Sequence, residues 1–150
     1  MAVRRVVTGN ADGKSRVISD DALTTRWCEI WASDENDPNG FDPGPGIRRL
    51  EPALGSTAFR IVEIAPKAEV LTALAERDPS DEMFDMFDSE GRHVTDTLDY
   101  VYVLDGPVEL VLDVDSVVLQ AGDCVVQRRT KHAWHNHNED PIRLLAVNVR

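Results

Sequence analysis

Cysteine is scarce in this sequence: Cys28 and Cys124 are the only two in 150 residues, and they lie far apart in the chain. Two cysteines do not make a disulfide framework, so the expected compartment is a reducing cytoplasm. The opening segment MAVRRVVTGN holds no long apolar stretch and gives no sign of a secretory signal. No apolar run elsewhere approaches the ~20 residues that a membrane-spanning helix needs. Positive charge is also thin, with 16 Lys and Arg against 27 Asp and Glu and a formal net charge of −11. Such a chain repels phosphate backbones and anionic headgroups, so neither nucleic acid nor membrane is an expected partner. Phosphate-binding motifs are missing: NADGKS ends in Gly-Lys-Ser but lacks the earlier glycine of a P-loop, and there is no dinucleotide fingerprint. No Ser-His-Asp or Cys-His arrangement has supporting context, and no repeat recurs at a solenoid period.

What is present is enough for one domain spanning 1–150. The chain is 42% apolar, which suits a real core at this length. RRVVTG and KSRVIS flank Asp12-Gly13, a pair that accepts positive φ, so they read as a hairpin. TRWCEIWAS reads as a third strand. DENDPNGFDPGPGIRR, dense in Asp, Asn, Gly and Pro, reads as a long loop over 34–49 without regular structure. STAFRIVEIAP alternates, with Arg60, Val62 and Ile64 on one face, and ends at Pro66. EVLTALAER has a helical pattern, with Leu71, Leu74 and Ala75 on one side. PSDEMFDMFDSEG predicts a short helix near 81–88, with Met83, Phe84 and Phe87 facing the core or a pocket. From residue 97 onward, strands and turns alternate at the short spacing of a sandwich or barrel.

All four histidines follow residue 92. In GRHVTDTLDY, His93, Thr95, Thr97 and Asp99 share parity, so an extended chain points them to one face. His132, Trp134 and Asn136 share a face of HAWHNHN, and His135 and His137 share the other. If the two segments meet across a closed sheet, His93, Asp99 and His132 converge. A straight strand would hold His93 and Asp99 roughly 20 Å apart, so convergence requires a bend around Thr95–Leu98. His135 and His137 run into the turn NEDP and are expected in solvent.

Residues 91–136 resemble the paired motifs of the cupin superfamily, small jelly-roll barrels, here of the single-domain conserved-barrel type. His93 matches the first histidine of the first motif, and Gly106 matches its glycine. Thr95 stands where a second histidine is usual, and Asp99 replaces a glutamate. Gly122, His132 and Asn136 fit the second motif, with Gln127 and Arg129 in place of its proline and glycine. The resemblance implies a mostly β, double-stranded β-helix. Residues 1–55 would be an N-terminal extension of strands and loop, and 56–150 the barrel, with one or two short helices. It also implies the required bend.

In such a barrel the ligand set left to a metal is His93, Asp99 and His132. Two imidazoles and a carboxylate suit a non-haem Fe(II) site with open positions, or zinc with a bound water, and manganese or nickel are further candidates. Asp99 can instead serve as a general base, or be held structurally by Thr95 or Thr97. Thr95, Thr97, Gln127, Arg128 and Trp134 are the expected substrate-contacting residues, with Arg128 or Arg129 offered to an anion at the barrel mouth. Cys124 is expected to be a buried small hydrophobe. Two function classes follow. One is a metal-dependent enzyme of dioxygenase, isomerase, decarboxylase or cyclase type, acting on a small organic molecule, carboxylated or phenolic. The other is a metal-free barrel that binds a small ligand without catalysis. Exposed sheet edges make a homodimer the expected assembly.

Overall fold

The computed structural model describes residues 2–24, 27–44, 49–78, 80 and 85–150. Strands β1 (Val3–Ala11) and β2 (Lys14–Leu23) form a two-stranded antiparallel sheet of their own. Asp12 and Gly13 close it with φ of 53° and 72°, the left-handed pair that matches the twist of a two-residue hairpin. Arg5 anchors the hairpin to the rest of the chain. Its buried guanidinium donates to Asp21 at 2.7 and 3.0 Å, to Asp42 at 2.8 Å and to the Ile30 carbonyl at 3.2 Å.

The remaining strands are β3 (Trp27–Asp34), β4 (Asp37–Phe41), β5 (Thr57–Ile64), β6 (Leu98–Val103), β7 (Val108–Val111), β8 (Ser116–Leu119), β9 (Cys124–Arg128), β10 (Ala133–His135) and β11 (Ile142–Val149). They make a six-stranded sheet in the order β4-β3-β5-β11-β6-β9 and a three-stranded sheet in the order β10-β7-β8. Inward parity follows the apolar alternation. Val101 and Val103 on β6, Val108 and Leu110 on β7, Leu119 on β8, and Ile142, Leu144 and Ala146 on β11 form one buried cluster. Each fully buried Val, Leu or Ile contributes roughly 1.5–3 kcal/mol against leaving it in water. Gly106 is fixed by a close approach, since a Cβ there would meet the Ala121 nitrogen at 2.8 Å. The expected mostly β jelly roll is therefore the observed architecture.

The single helix among the described residues is α1 (Lys67–Glu76), entered at Pro66. Its start is tied to the second histidine region, because the Lys67 N–H donates to the Asn136 carbonyl at 2.7 Å. Leu74 is buried as expected, but Ala75 is exposed. The side that borders the cavity carries Val70, Ala73 and Leu74, with Arg77 just past the helix end, the 3–4 spacing of one helix side.

Three expectations are corrected. The 34–49 segment is not all loop, because Asp37–Phe41 pairs with β3, and the Trp31 indole donates to the Asn39 carbonyl at 3.0 Å. Of the expected helix at 81–88, residues 81–84, with Met83 and Phe84, lie outside the described residues. Asp85 and Met86 form a turn and Phe87 and Asp88 are non-helical. The Asp88 carboxylate instead organises a turn, accepting from the N–H of Glu90 at 3.0 Å and of Arg92 at 2.9 Å. Cys124 is exposed, since on β9 it shares the outward parity of Val126 while Gln127 turns inward.

The outer face of the large sheet carries an apolar row. Phe59, Val147, Tyr100 and Val126 stand in register across β5, β11, β6 and β9, and Phe59, Tyr100 and Val126 are exposed. Among the described residues no helix is long and apolar enough to cross a membrane.

Candidate functional site

His93 and His132 are direct partners in an isolated antiparallel bridge. Each donates its backbone N–H to the other's carbonyl at 2.9 Å. Paired residues of this kind carry side chains on one face, and the two imidazole centroids lie 4.4 Å apart. The bend that the spacing demanded is real. The chain bends at Asp96 and Thr97, and β6 begins only at Leu98. Thr95 and Thr97, both buried, bond to each other at 2.8 Å, and the Arg129 N–H holds the bend by donating to the Thr97 carbonyl at 3.2 Å.

The imidazoles face a cavity of about 880 Å³. Its walls are mostly apolar: Trp27, Val62, Ile64, Val101, Trp134 and Leu144, with α1 along one side. Into it also point Arg60, Thr95, Asp99, Gln127 and Asn148. Asp99 is buried and accepts from the Asn148 side-chain amide at 2.6 Å; register places Asn148 opposite Asp99 on the neighbouring strand. Arg60, also buried, donates to the carbonyls of Leu50 at 2.6 Å and Arg49 at 2.9 Å, contacts Asn148 at 3.3 Å, and lies 3.5 Å from Glu29. Asp99 thus sits at the end of a polar chain whose other end is a buried cation.

Burial sets the protonation of the pair. The His93 pKa is lowered to about 3, first by loss of water and then by repulsion from His132, against smaller opposing effects of the Gly91 backbone and Asp88. The His132 pKa is also lowered, chiefly by burial, with the Thr130 carbonyl and Asp99 opposing. Both rings are neutral at pH 7. His132 Nδ1 bonds the Thr130 carbonyl at 2.9 Å and meets the Gln127 side-chain amide. A carbonyl only accepts, so Nδ1 carries the hydrogen and Nε2 keeps its lone pair. Among the described residues His93 Nδ1 is buried without a hydrogen-bond partner.

The donor set suits a divalent ion in part. Two neutral imidazoles side by side, one with a fixed tautomer and one with an orphaned nitrogen, fit such a group. Asp99 does not complete a compact set. Its carboxylate is engaged by Asn148, and among the described residues the three-donor group whose ligand atoms all lie within 4.8 Å of one another is a different one: Glu109, His135 and His137.

The structure therefore brings together His93, His132, Asp99, Thr95, Gln127 and Trp134 around one cavity. It leaves Thr97 behind the wall, bonded to Thr95, and it places Arg128 outside. The parity of β9 that turns Gln127 inward turns Arg128 into solvent. Arg129, with φ of 54°, is exposed and paired to Asp96 at 2.7 Å. His135 is buried rather than solvated, because the 90–92 segment folds over its face and its Nε2 donates to the Glu90 carbonyl at 3.0 Å. Sequence reading missed Arg60 and Asn148. A charged residue on the apolar face of STAFRIVEIAP was the available signal for Arg60. Asn148 is visible only through strand register.

Residues 87–148 match the model of the cupin domain. Phomopsin biosynthesis cluster proteins C′ and D of Diaporthe leptostromiformis are each 35% identical over 85 residues, which is 56% of this chain and 34% of each relative. The chain thus spans about a third of the length of these curated relatives. Among solved structures, a cupin 2 conserved barrel domain protein from Salinispora arenicola aligns at 17% identity and a TM-score of 0.45, covering 81% of this chain and 77% of that one. Both histidines of the bridge lie within the region that matches the cupin domain, so this part of the chain is similar to that domain.

Proposed function

We propose that the cavity is the active site of a small-molecule enzyme in which His93 and His132 hold a divalent transition ion and Asp99 is the third ligand or the proton acceptor. The observation that carries this is the bridge itself: two neutral imidazoles, His132 buried and His93 partly buried, placed side by side on the wall of an apolar cavity. A bound ion supplies Lewis acidity or an oxygen-binding centre. The chain's own residues do the rest. The Thr130 carbonyl fixes the His132 tautomer. Asn148 orients Asp99, and Arg60 keeps the carboxylate's surroundings positive. Trp134, Val62 and Leu144 exclude water and receive an apolar body. The substrate class is a small organic molecule with an apolar frame and a phenolic or carboxylate group. Two relatives named for a biosynthetic cluster agree with small-molecule chemistry.

A second reading is a metal-free barrel that binds a ligand without turnover. The open distance between Asp99 and the imidazole pair favours it. Metal content of protein purified without a His-tag separates the two. Near-stoichiometric iron, manganese, nickel or zinc that falls away in His132→Ala supports the enzyme. Oxygen uptake with phenolic and dicarbonyl compounds then sorts redox from non-redox chemistry. Metal-free protein, with no thermal shift on adding divalent ions, supports the binding barrel.

The homodimer belongs to the same proposal, with the exposed row Phe59, Tyr100 and Val126 as the face a second copy would cover.

A further inference from the structure

Outside the cavity, on the opposite side of β10, a second set of donors is assembled. His135 and His137 alternate on one face of the strand and its continuation, and Glu109 is the register partner of His135 on β7. His137 Nε2 lies 2.8 Å from Glu109 Oε2, and His135 Nδ1 lies 4.0 Å from the same oxygen. The far nitrogen of His135 donates to the Glu90 carbonyl at 3.0 Å. That bond assigns the hydrogen to Nε2 and turns the Nδ1 lone pair toward a carboxylate. A lone pair and a carboxylate facing each other at 4.0 Å leave a place for a cation between them. An imidazole held by a backbone carbonyl on its far side is the usual orientation of a metal-bound histidine. Around a tetrahedral ion, ligand atoms about 2.1 Å from the metal lie about 3.4 Å from one another. Donors already within 4.8 Å need only small side-chain rotations to reach that spacing.

The geometry points to a second transition-metal site, a zinc-type centre of His135 Nδ1, His137 Nε2 and Glu109, separate from the cavity. Two imidazoles and one carboxylate select borderline divalent ions such as zinc or nickel over calcium or magnesium. His137 is half out in solvent, at 59% side-chain exposure, so the fourth position is left to water. On ion binding, the hydrogen that His137 Nε2 shares with Glu109 moves through solvent to Nδ1, and the carboxylate turns to the metal. The site also has a mechanical consequence. Through Glu90 it pins the segment that runs Gly91, Arg92, His93, and His93 is on the cavity wall. An ion here stiffens the backbone that carries one of the two cavity imidazoles.

The test uses the full chain, untagged, stripped with chelator, and titrated calorimetrically with zinc chloride alone. The titration is run in the His132→Ala background, which removes the cavity pair; His132→Gln replaces it if the alanine variant does not fold. One ion per chain is expected there. Adding His137→Ala, an exposed position that leaves folding intact, is expected to weaken binding on the order of 100-fold or more, and Glu109→Gln likewise, since loss of a direct ligand exceeds the 10–100-fold of outer partners. Zinc is also expected to slow amide hydrogen exchange at residues 90–93. Absence of binding in the His132→Ala protein, or unchanged affinity on adding His137→Ala, overturns the site. Because the cavity pair is already gone in this background, failure here leaves the reading of the cavity untouched.

Discussion

His93 and His132 exchange both of their backbone hydrogen bonds at 2.9 Å and bring their imidazoles to a centroid distance of 4.4 Å. Two segments nearly forty residues apart are thereby held in one register, and two basic rings are placed where neither can charge easily. Burial lowers both pKa values, and repulsion from His132 lowers that of His93 further.

The first consequence is a pH dependence. The unfolded chain takes up a proton on His93 as pH falls through about 6.5, whereas the folded chain resists until about pH 3. Between those values the unfolded state binds more protons, so stability falls as pH falls. The stability is fully present above pH 6.5 and the loss is complete below about pH 3. Urea unfolding across that range is expected to show a drop on the order of a few kcal/mol from this ring. His93→Gln is expected to flatten the slope by about one proton per chain, and an unchanged slope contradicts the assignment.

Arg60 gives the second prediction. It is the cation that balances Glu29 and Asp99 inside the barrel. Truncating it strands two carboxylates beside an apolar cavity. Arg60→Ala is expected to cost about 3–5 kcal/mol in urea unfolding, the range for removing one partner of a buried ion pair. Combining it with Glu29→Gln is expected to recover part of that loss; strict additivity of the two costs contradicts the balance.

Asp99 separates position from charge. Asp99→Ala leaves the Asn148 amide unsatisfied in a buried place, at about 1–3 kcal/mol. Asp99→Asn keeps an oxygen for Asn148 and is expected to cost less, while abolishing turnover or metal retention equally. A full-activity Asp99→Asn protein removes Asp99 from the working groups.

The cavity wall on α1 supplies a variant that spares the fold. Ala73 is exposed and borders the cavity, so Ala73→Trp is expected to block it while leaving the melting temperature nearly unchanged. Binding of a hydrophobic fluorescent probe is expected to fall several-fold. Equal probe binding in both proteins means the probe sites lie elsewhere.

The sequence disclosed much of this because the relevant signals were local or periodic. Asp12-Gly13, the alternation of STAFRIVEIAP, and the short regular strands after residue 97 each depend on neighbours in the chain. The pairing of His93 with His132 was legible through motif order, and the six-residue gap to Asp99 correctly required a bend. What stayed hidden depends on contacts between distant segments. Asn148 meets Asp99 only through the register of β11 on β6. His135 was assigned to solvent because nothing local reveals that Glu90 folds over it. The parity of β9 sends Gln127 inward and Arg128 outward, and composition did not tell the two apart. In DENDPNGF, Trp31 of β3 overrides a turn-rich composition by bonding the Asn39 carbonyl and drawing 37–41 into the sheet.

The most direct test of the central claim is an anomalous-difference map from crystals of the untagged protein grown with manganese or zinc and recorded at the metal edge. A peak within coordination distance of both His93 and His132 is predicted, with Asp99 turned toward it. Density confined to the outer Glu109 group, with the facing imidazoles bare at saturating metal, would contradict the cavity as a metal centre.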